Sequence, residues 1–224
     1  MANLNLNGNI SKNEETLQLA YTDLITFGKL FSPQDFLASA TPDFHRDVGK
    51  LLIDKSKQQL ALVMPRDHAK STLAACAVLH RFLFATKENP EFIAWIGEAQ
   101  DQARDNLNWI QNHIYSNPAI HYYFGDLEGD KWTKDEFTLQ NGCRMIGKGT
   151  SQRLRGKKQN STRYTGIILD DFESELNTKT PDSRRQIKEW VTAAVYPAID
   201  FDKDGFLWCN GTIVHYDSFL NGLV

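Results

Sequence analysis

The chain has 224 residues, 41% apolar and 24% charged, with a formal net charge of −3. Those values suit one large domain with a sizeable buried core and argue against a protein that coats nucleic acid uniformly. No apolar run approaches the roughly 20 residues of a membrane span, the Asn-rich start is not a signal peptide, and the dispersed Cys76, Cys143 and Cys209 read as reduced packing residues, not as a disulfide frame or zinc site.

Residues 1–12 (MANLNLNGNISK) are polar and predict a disordered N-terminal tail. From residue 13 to about 31, Leu17, Tyr21, Leu24 and Phe27 recur at helical spacing, and Thr41-Pro42 opens a second helix over residues 42–56. Residues 13–58 thus read as a helical segment ahead of a core over residues 59–224. In that core, residues 60–64 form a buried strand followed by a helix over 71–86. Residues 92–96 (FIAWI) form a second strand, followed by an amphipathic helix over 98–115. The period then changes: residues 136–139 and 143–146 flank Asn141-Gly142, a hairpin signal. Residues 166–170 (GIILD) are an apolar strand running into acids, 181–196 a helix opened by Thr180-Pro181, and 206–209 a last strand before Asn210-Gly211-Thr212. Strands alternating with helices predict an α/β fold with a mainly parallel sheet. With no closing helix before Val224, the expectation is a domain cut from a longer protein.

Residues 64–72 read MPRDHAKST, between a strand and a helix. That is the layout of a phosphate-binding P-loop, G-x-x-x-x-G-K-[ST], with Met64 and Ala69 where the glycines would stand. Such a loop works because backbone N–H groups and a helix N-terminus point at anionic oxygens while a lysine neutralises the outer phosphates. Glycine supplies only conformational freedom. Lys70 is therefore expected at the β- and γ-phosphates, Ser71 at Mg²⁺, and Arg66, Asp67, His68, Ala69 and Thr72 along a bound ATP. A Ser/Thr helix cap explains Ala-Lys-Ser-Thr alone equally well. The apolar strand ending in Asp170-Asp171 adds the second half of a hydrolase site. Asp170 fits the metal shell, and Asp171 or Glu173 the acid that polarises the attacking water.

Residues 137–169 contain no acid but carry Arg144, Lys148, Arg153, Arg155, Lys157, Lys158 and Arg163. An arginine there, Arg155 before the others, could reach a neighbouring subunit's γ-phosphate or a DNA phosphate, or belong to a solvated loop. Residues 200–205 match the start of an EF-hand loop, but the twelfth position is Gly211, so they read as a solvated turn. His113, His121 and His215 have no partner at ligand spacing and read as polar fillers.

Taken in order, these motifs resemble the ATPase domain of the large terminase subunit of tailed bacteriophages. The resemblance covers roughly residue 42 onward and rests on PRDHAKST, FIAWIGEAQDQA, KWTKDEFTLQNGCRMIGKGTSQRLRG, GIILDDFES and LWCNGT. It implies an ASCE-type P-loop NTPase, α/β with a mainly parallel central sheet flanked by helices, in which Arg-containing, glycine-poor loops are habitual. The implied activity is Mg²⁺-dependent ATP hydrolysis that drives double-stranded DNA into a procapsid. The implied assembly is a homo-oligomeric ring, monomeric when isolated, docked in the host cytoplasm on the portal protein, with the small terminase subunit as a further partner. By the same resemblance Gly211-Thr212 is the coupling motif, and Arg155, or alternatively Arg153, acts in trans. Phe44-His45 stands where the family places an adenine-contacting aromatic–glutamine pair, with His45 departing from glutamine. An RNase H-like nuclease domain is expected beyond residue 224. The rival readings are another P-loop motor, helicase-like, and a nucleotide-dependent binding module without turnover. The paired acids speak against the second.

Overall fold

The computed structural model describes residues 12–154 and 163–224; apart from Lys12, the expected tail lies outside them. Two helices, α1 (Lys12–Thr22) and α2 (Leu24–Phe31), replace the single helix expected over 13–31. Asp23 makes the break. Its backbone is extended and its carboxylate accepts the Thr26 N–H, so it caps α2 instead of continuing α1. The short α3 (Pro33–Phe36) and α4 (Asp43–Ile53) follow. Leu24, Ile25, Phe27, Phe31 and Leu52 from these helices are buried in one apolar cluster with the helix that succeeds the first strand.

The core runs β1 (Gln59–Val63), α5 (Lys70–Phe84), β2 (Phe92–Gly97), α6 (Gln100–Ser116), α7 (Pro118–Phe124), β3 (Glu128–Trp132), β4 (Glu136–Leu139), β5 (Arg144–Gly149), β6 (Gly166–Asp170), α8 (Pro181–Trp190) and β7 (Phe206–Gly211). Among the described residues these strands form one sheet in the order β1-β7-β6-β2-β5-β4-β3. The pairs from β1 through β5 are parallel, and β4 and β3 add an antiparallel edge. Two elements of the core are not expected from the sequence. β3 (EGDKW) lacks apolar alternation because it lies at the edge, and α7 is one short helix capped by the Asn117 side chain. The helix expected over 181–196 keeps α geometry only to Trp190. A π turn (Val191–Val195) and a 3₁₀ turn (Tyr196–Ala198) follow, because Pro197 has no N–H for an α ladder and its ring crowds the preceding turn.

Both faces of the central strands are covered, which accounts for their near-continuous apolar sequences. Trp95, Ile168, Phe206 and Trp208 pack into the cluster shared with α5, while Ala94, Ile96, Ile167, Leu169 and Leu207 join Ile187, Val191 and Val195 on the other side. Each such side chain contributes on the order of 2 kcal/mol by leaving water. Register then places the functional segments. Val63 pairs with Gly211, and Asn210 pairs with both Leu62 and Asp170. The loop after β1, the end of β7 and the acids after β6 therefore meet at the carboxyl edge, where open α/β sheets bind ligands. No described helix is long and apolar enough to cross a membrane.

Candidate active site

The chain leaves β1 at Val63 and enters α5 at Lys70, and the turn between them is made without glycine. Asp67 (φ 64°) and Ala69 (φ 57°, ψ 25°) both adopt the left-handed conformation, Ala69 at the N-cap of α5. Holding an alanine there costs roughly 1–2 kcal/mol, strain of the kind found where a backbone is shaped for a ligand. Met64, at the first glycine position, needs no positive φ.

Lys70 is 5% exposed and folds back over this loop. Its Nζ donates to the carbonyls of Met64 (3.1 Å) and Pro65 (2.9 Å) and lies 3.5 Å from Thr212 Oγ1, which itself donates to the Met64 carbonyl at 3.0 Å. Among the described residues the lysine thus has neutral acceptors and no carboxylate, and the Thr212 hydroxyl shares one of them. On the next residue, Ser71 Oγ donates to Asp170 Oδ1 at 3.0 Å. Burial pushes the Asp170 carboxyl up to about 6, with the Ser71 hydroxyl pulling against it and the Asp171 charge adding to it. The Asn210 amide and the Trp95 indole also lie close enough to oppose that shift, yet neither completes a hydrogen bond. Among the described residues, Asn210 Nδ2, Asn210 Oδ1 and Trp95 Nε1 are buried without a partner.

The two candidate acids separate. Asp171 is exposed, turns at φ 44° and donates its amide to the Asn210 carbonyl at 3.0 Å. A Cβ on neighbouring Gly211 would stand 2.9 Å from a Leu220 methyl, which would have to shift, and in ordinary contact, at 3.5 Å, with Asp171 Oδ1. Glu173 is buried, and its two oxygens accept the amides of Phe219 (2.7 Å) and Leu220 (2.8 Å). Its carboxylate anchors the C-terminal segment.

Beside the loop lies a cavity of about 390 Å³ whose lining includes Phe36, Phe44, His45, Asp67, His68 and Thr72. Phe44 packs against the rings of His45 (4.4 Å) and His68 (5.9 Å). His45 Nε2 lies 3.2 Å from the His68 carbonyl, which can only accept, so Nε2 carries a proton. The structure therefore brings Phe44 and His45 to the loop, and Lys70, Ser71, Asp170 and Thr212 to one another. Arg66 is exposed within the loop, Arg153 is exposed on its own segment, and Arg155 lies outside the described residues.

This architecture has counterparts among solved structures. The crystal structure of the HK97 bacteriophage large terminase matches with a TM-score of 0.56 at 14% identity, covering 95% of this chain and 40% of that one. A mutant of the Thermus phage P74-26 large terminase ATPase domain matches with a TM-score of 0.50 at 13% identity, over 71% of this chain and 62% of that one. The fold is that of a phage large terminase ATPase domain. β7, between the loop strand β1 and the acid-bearing β6, accords with the expected ASCE-type P-loop NTPase order. The chain spans less than two thirds of the length of either terminase. No family model and no curated protein matches the sequence.

Within this terminase-like fold, the residues around Ser71 fit a magnesium-type cation. A hydroxyl and a carboxylate stand together at a helix N-terminus beside an orphaned amide oxygen. No group of three His, Cys, Asp or Glu side chains suited to a metal occurs among the described residues. One hydroxyl and one carboxylate suit Mg²⁺, which keeps water and phosphate oxygens in its shell. Sequence reasoning missed Asn210 and Trp95. The only signal was a polar residue at the end of an apolar strand, which reads as a turn until β7 is known to run between β1 and β6. The histidines serve local structure as expected: His113 with Ser32 and Gln34, His121 with Asp126, His215 with the Asp217 amide. Residues 200–205 form a turn closed by Gly205 N–H to the Asp200 carbonyl.

Proposed function

We propose that the chain is the ATPase motor domain of a phage large terminase, hydrolysing MgATP to translocate double-stranded DNA into a procapsid. The carrying observation is the convergence, at one sheet edge, of a strained loop, a buried lysine without a counter-ion among the described residues, and a serine hydroxyl bonded to a buried aspartate. A helix N-terminus ringed by such groups suits a polyphosphate. Lys70 would exchange the Met64 and Pro65 carbonyls for the β- and γ-phosphate oxygens, gaining the anionic partner it lacks. Ser71 and Asp170 would hold Mg²⁺, which neutralises charge developing on the phosphates. Asp171, whose carboxylate is exposed beside Gly211, would orient water for attack on the γ-phosphorus. The bridging oxygen to the β-phosphate leaves with the bonding pair, and the water proton passes to the carboxylate. Glu173, engaged by two amides, is the weaker candidate. The base would occupy the cavity against Phe44 and His45.

Thr212 supports the motor reading in particular. Its hydroxyl and the Lys70 ammonium meet at the Met64 carbonyl, so withdrawal of Lys70 toward phosphate would leave that carbonyl to Thr212 and change the bonding of β7's end with the nucleotide state. Double-stranded DNA, the portal protein, the small terminase subunit and ring assembly, with Arg155 or Arg153 completing a neighbour's site, belong to the same proposal. The test is phosphate release by the wild-type protein and by Lys70→Ala. Turnover is expected to fall at least about 100-fold in the variant, the scale of losing one charged stabiliser of the transition state. Equal rates would remove the site assignment.

A further inference from the structure

Three side-chain polar atoms around Asp170 are buried and unmatched among the described residues, and two belong to Asn210. The third, Trp95 Nε1, comes from the other flank. β2 lies on the far side of β6 from β7, and Trp95 pairs with Ile168. Alternate residues share a sheet face, so Trp95, Ile168 and Asp170 stand on the same face, with the indole one pleat below the acid. Trp95 is 0% exposed, and water cannot satisfy it. A buried N–H left unmade costs about 1–3 kcal/mol. Such groups in native proteins call for an explanation.

The other orphaned indoles mark the contrast. Trp208 flanks Ile168 from the other side at the same height, but its ring has the Arg81 guanidinium 5.4 Å away. Trp190 begins the π turn after α8. Of these three, Trp95 alone, one pleat away on neighbouring β2, stands close enough to Asp170 to bear on its carboxyl. We propose that Trp95 is a positioning residue for Asp170, its indole N–H closing onto the carboxylate when nucleotide and Mg²⁺ load the site. This rests on the nucleotide-site reading above. In the loaded site the carboxylate is held as an anion by the cation, and an anionic oxygen is the stronger acceptor. A donor fixed by a packed indole holds the carboxylate plane, keeping one oxygen toward Ser71, as outer partners of metal ligands do elsewhere.

The experiment follows the Trp95 indole ¹⁵N–H resonance, assigned through its own backbone, while a non-hydrolysable ATP analogue and then Mg²⁺ are added. Mg²⁺ affinity is measured in parallel on wild type, Trp95→Phe and Trp208→Phe. The Trp95 resonance is expected to move downfield and exchange more slowly only when both are present. In Trp95→Phe, Mg²⁺ affinity in the presence of the analogue is expected to fall roughly tenfold, the scale of an outer partner of a ligand. Analogue affinity in EDTA stays unchanged, and Trp208→Phe changes neither. A resonance that stays still while the analogue binds in a Lys70-dependent manner overturns the Trp95 assignment and leaves the nucleotide site intact. Absence of analogue binding to the wild type overturns both.

Discussion

At the amino edge of the sheet, the Arg81 guanidinium of α5 lies 3.3 Å from Glu91 Oε1, while Thr165 Oγ1 donates to Glu91 Oε2. The same guanidinium lies 4.3 Å from the centre of the Phe206 ring. At the carboxyl edge, Lys70 on the same helix has two carbonyls and a distant hydroxyl, Asp170 has one hydroxyl, and Asn210 has nothing. Both edges bury charge in one core. The amino edge closes its charges into a nearly complete set; among the described residues, Arg81 Nε and the neighbouring Trp208 indole N–H are left unmatched there. The carboxyl edge leaves a cation and an anion apart with donors and acceptors unused. Unsatisfied buried groups are costly, so the second arrangement is intelligible where a ligand completes it, and the first where structure alone is served.

The comparison breaks first at Glu91. Glu91→Ala leaves Arg81 buried with aromatic faces and only the more distant Asp204 charge to offset its own, and removing one partner of a buried pair costs about 3–5 kcal/mol. For a chain of this size that corresponds to a fall in Tm of roughly 10 °C. Equilibrium urea unfolding measures it. A loss below about 1 kcal/mol would rank the pair with exposed bridges and erase the contrast.

Asp170 tests the opposite edge with the opposite sign. Its carboxyl titrates near 3.8 when unfolded and is pushed up to about 6 by burial, so the native state holds the proton more tightly than the unfolded chain. Stability from this group is fully present below about 4 and declines as pH rises through 6. The difference is on the order of 3 kcal/mol at pH 8. Asp170→Asn, which cannot ionise, is therefore expected to be more stable than wild type at pH 8 in EDTA. The gain is reduced because the Ser71 hydroxyl bond to the carboxylate is weakened, and the two proteins converge near pH 4. Urea unfolding at pH 4, 6 and 8 reads this. Equal destabilisation at every pH would make Asp170 a structural residue like Glu91.

How far the chain announces this division depends on whether a feature is local. The strand-loop-helix around Lys70 and the apolar run into Asp170 are legible because each is a continuous segment with its own period. The break at Asp23 is not, because a helical period continues through it and only the Asp23 carboxylate to Thr26 amide bond decides. Asn210 and Trp95 become meaningful only through strand order, which sets residues from β7 and β2 on either side of β6. Glu173 shows the same limit: its spacing after the strand suits a catalytic acid, and only the fold shows that the chain returns some 45 residues later to donate two amides to its oxygens. Sequence proximity identified the acids; tertiary contacts distributed their roles.

The smallest expected effect lies in the loop itself, where the missing glycine can be restored. Ala69 sits in the left-handed region at the N-cap of α5, a conformation costing alanine roughly 1–2 kcal/mol and glycine almost nothing. Glycine is also the better N-cap. Against this, glycine loosens the unfolded chain by about 0.4–1 kcal/mol. Ala69→Gly is therefore expected to stabilise the protein by about 0.5–1 kcal/mol, read by the urea midpoint, while phosphate release stays within a few-fold of wild type. That outcome would mean the carboxyl edge stores its strain in the backbone and spends none of it on chemistry. A variant more stable but at least tenfold slower would instead tie the alanine to the rate. The loop would then hold Lys70 in place through the very conformation that glycine relaxes.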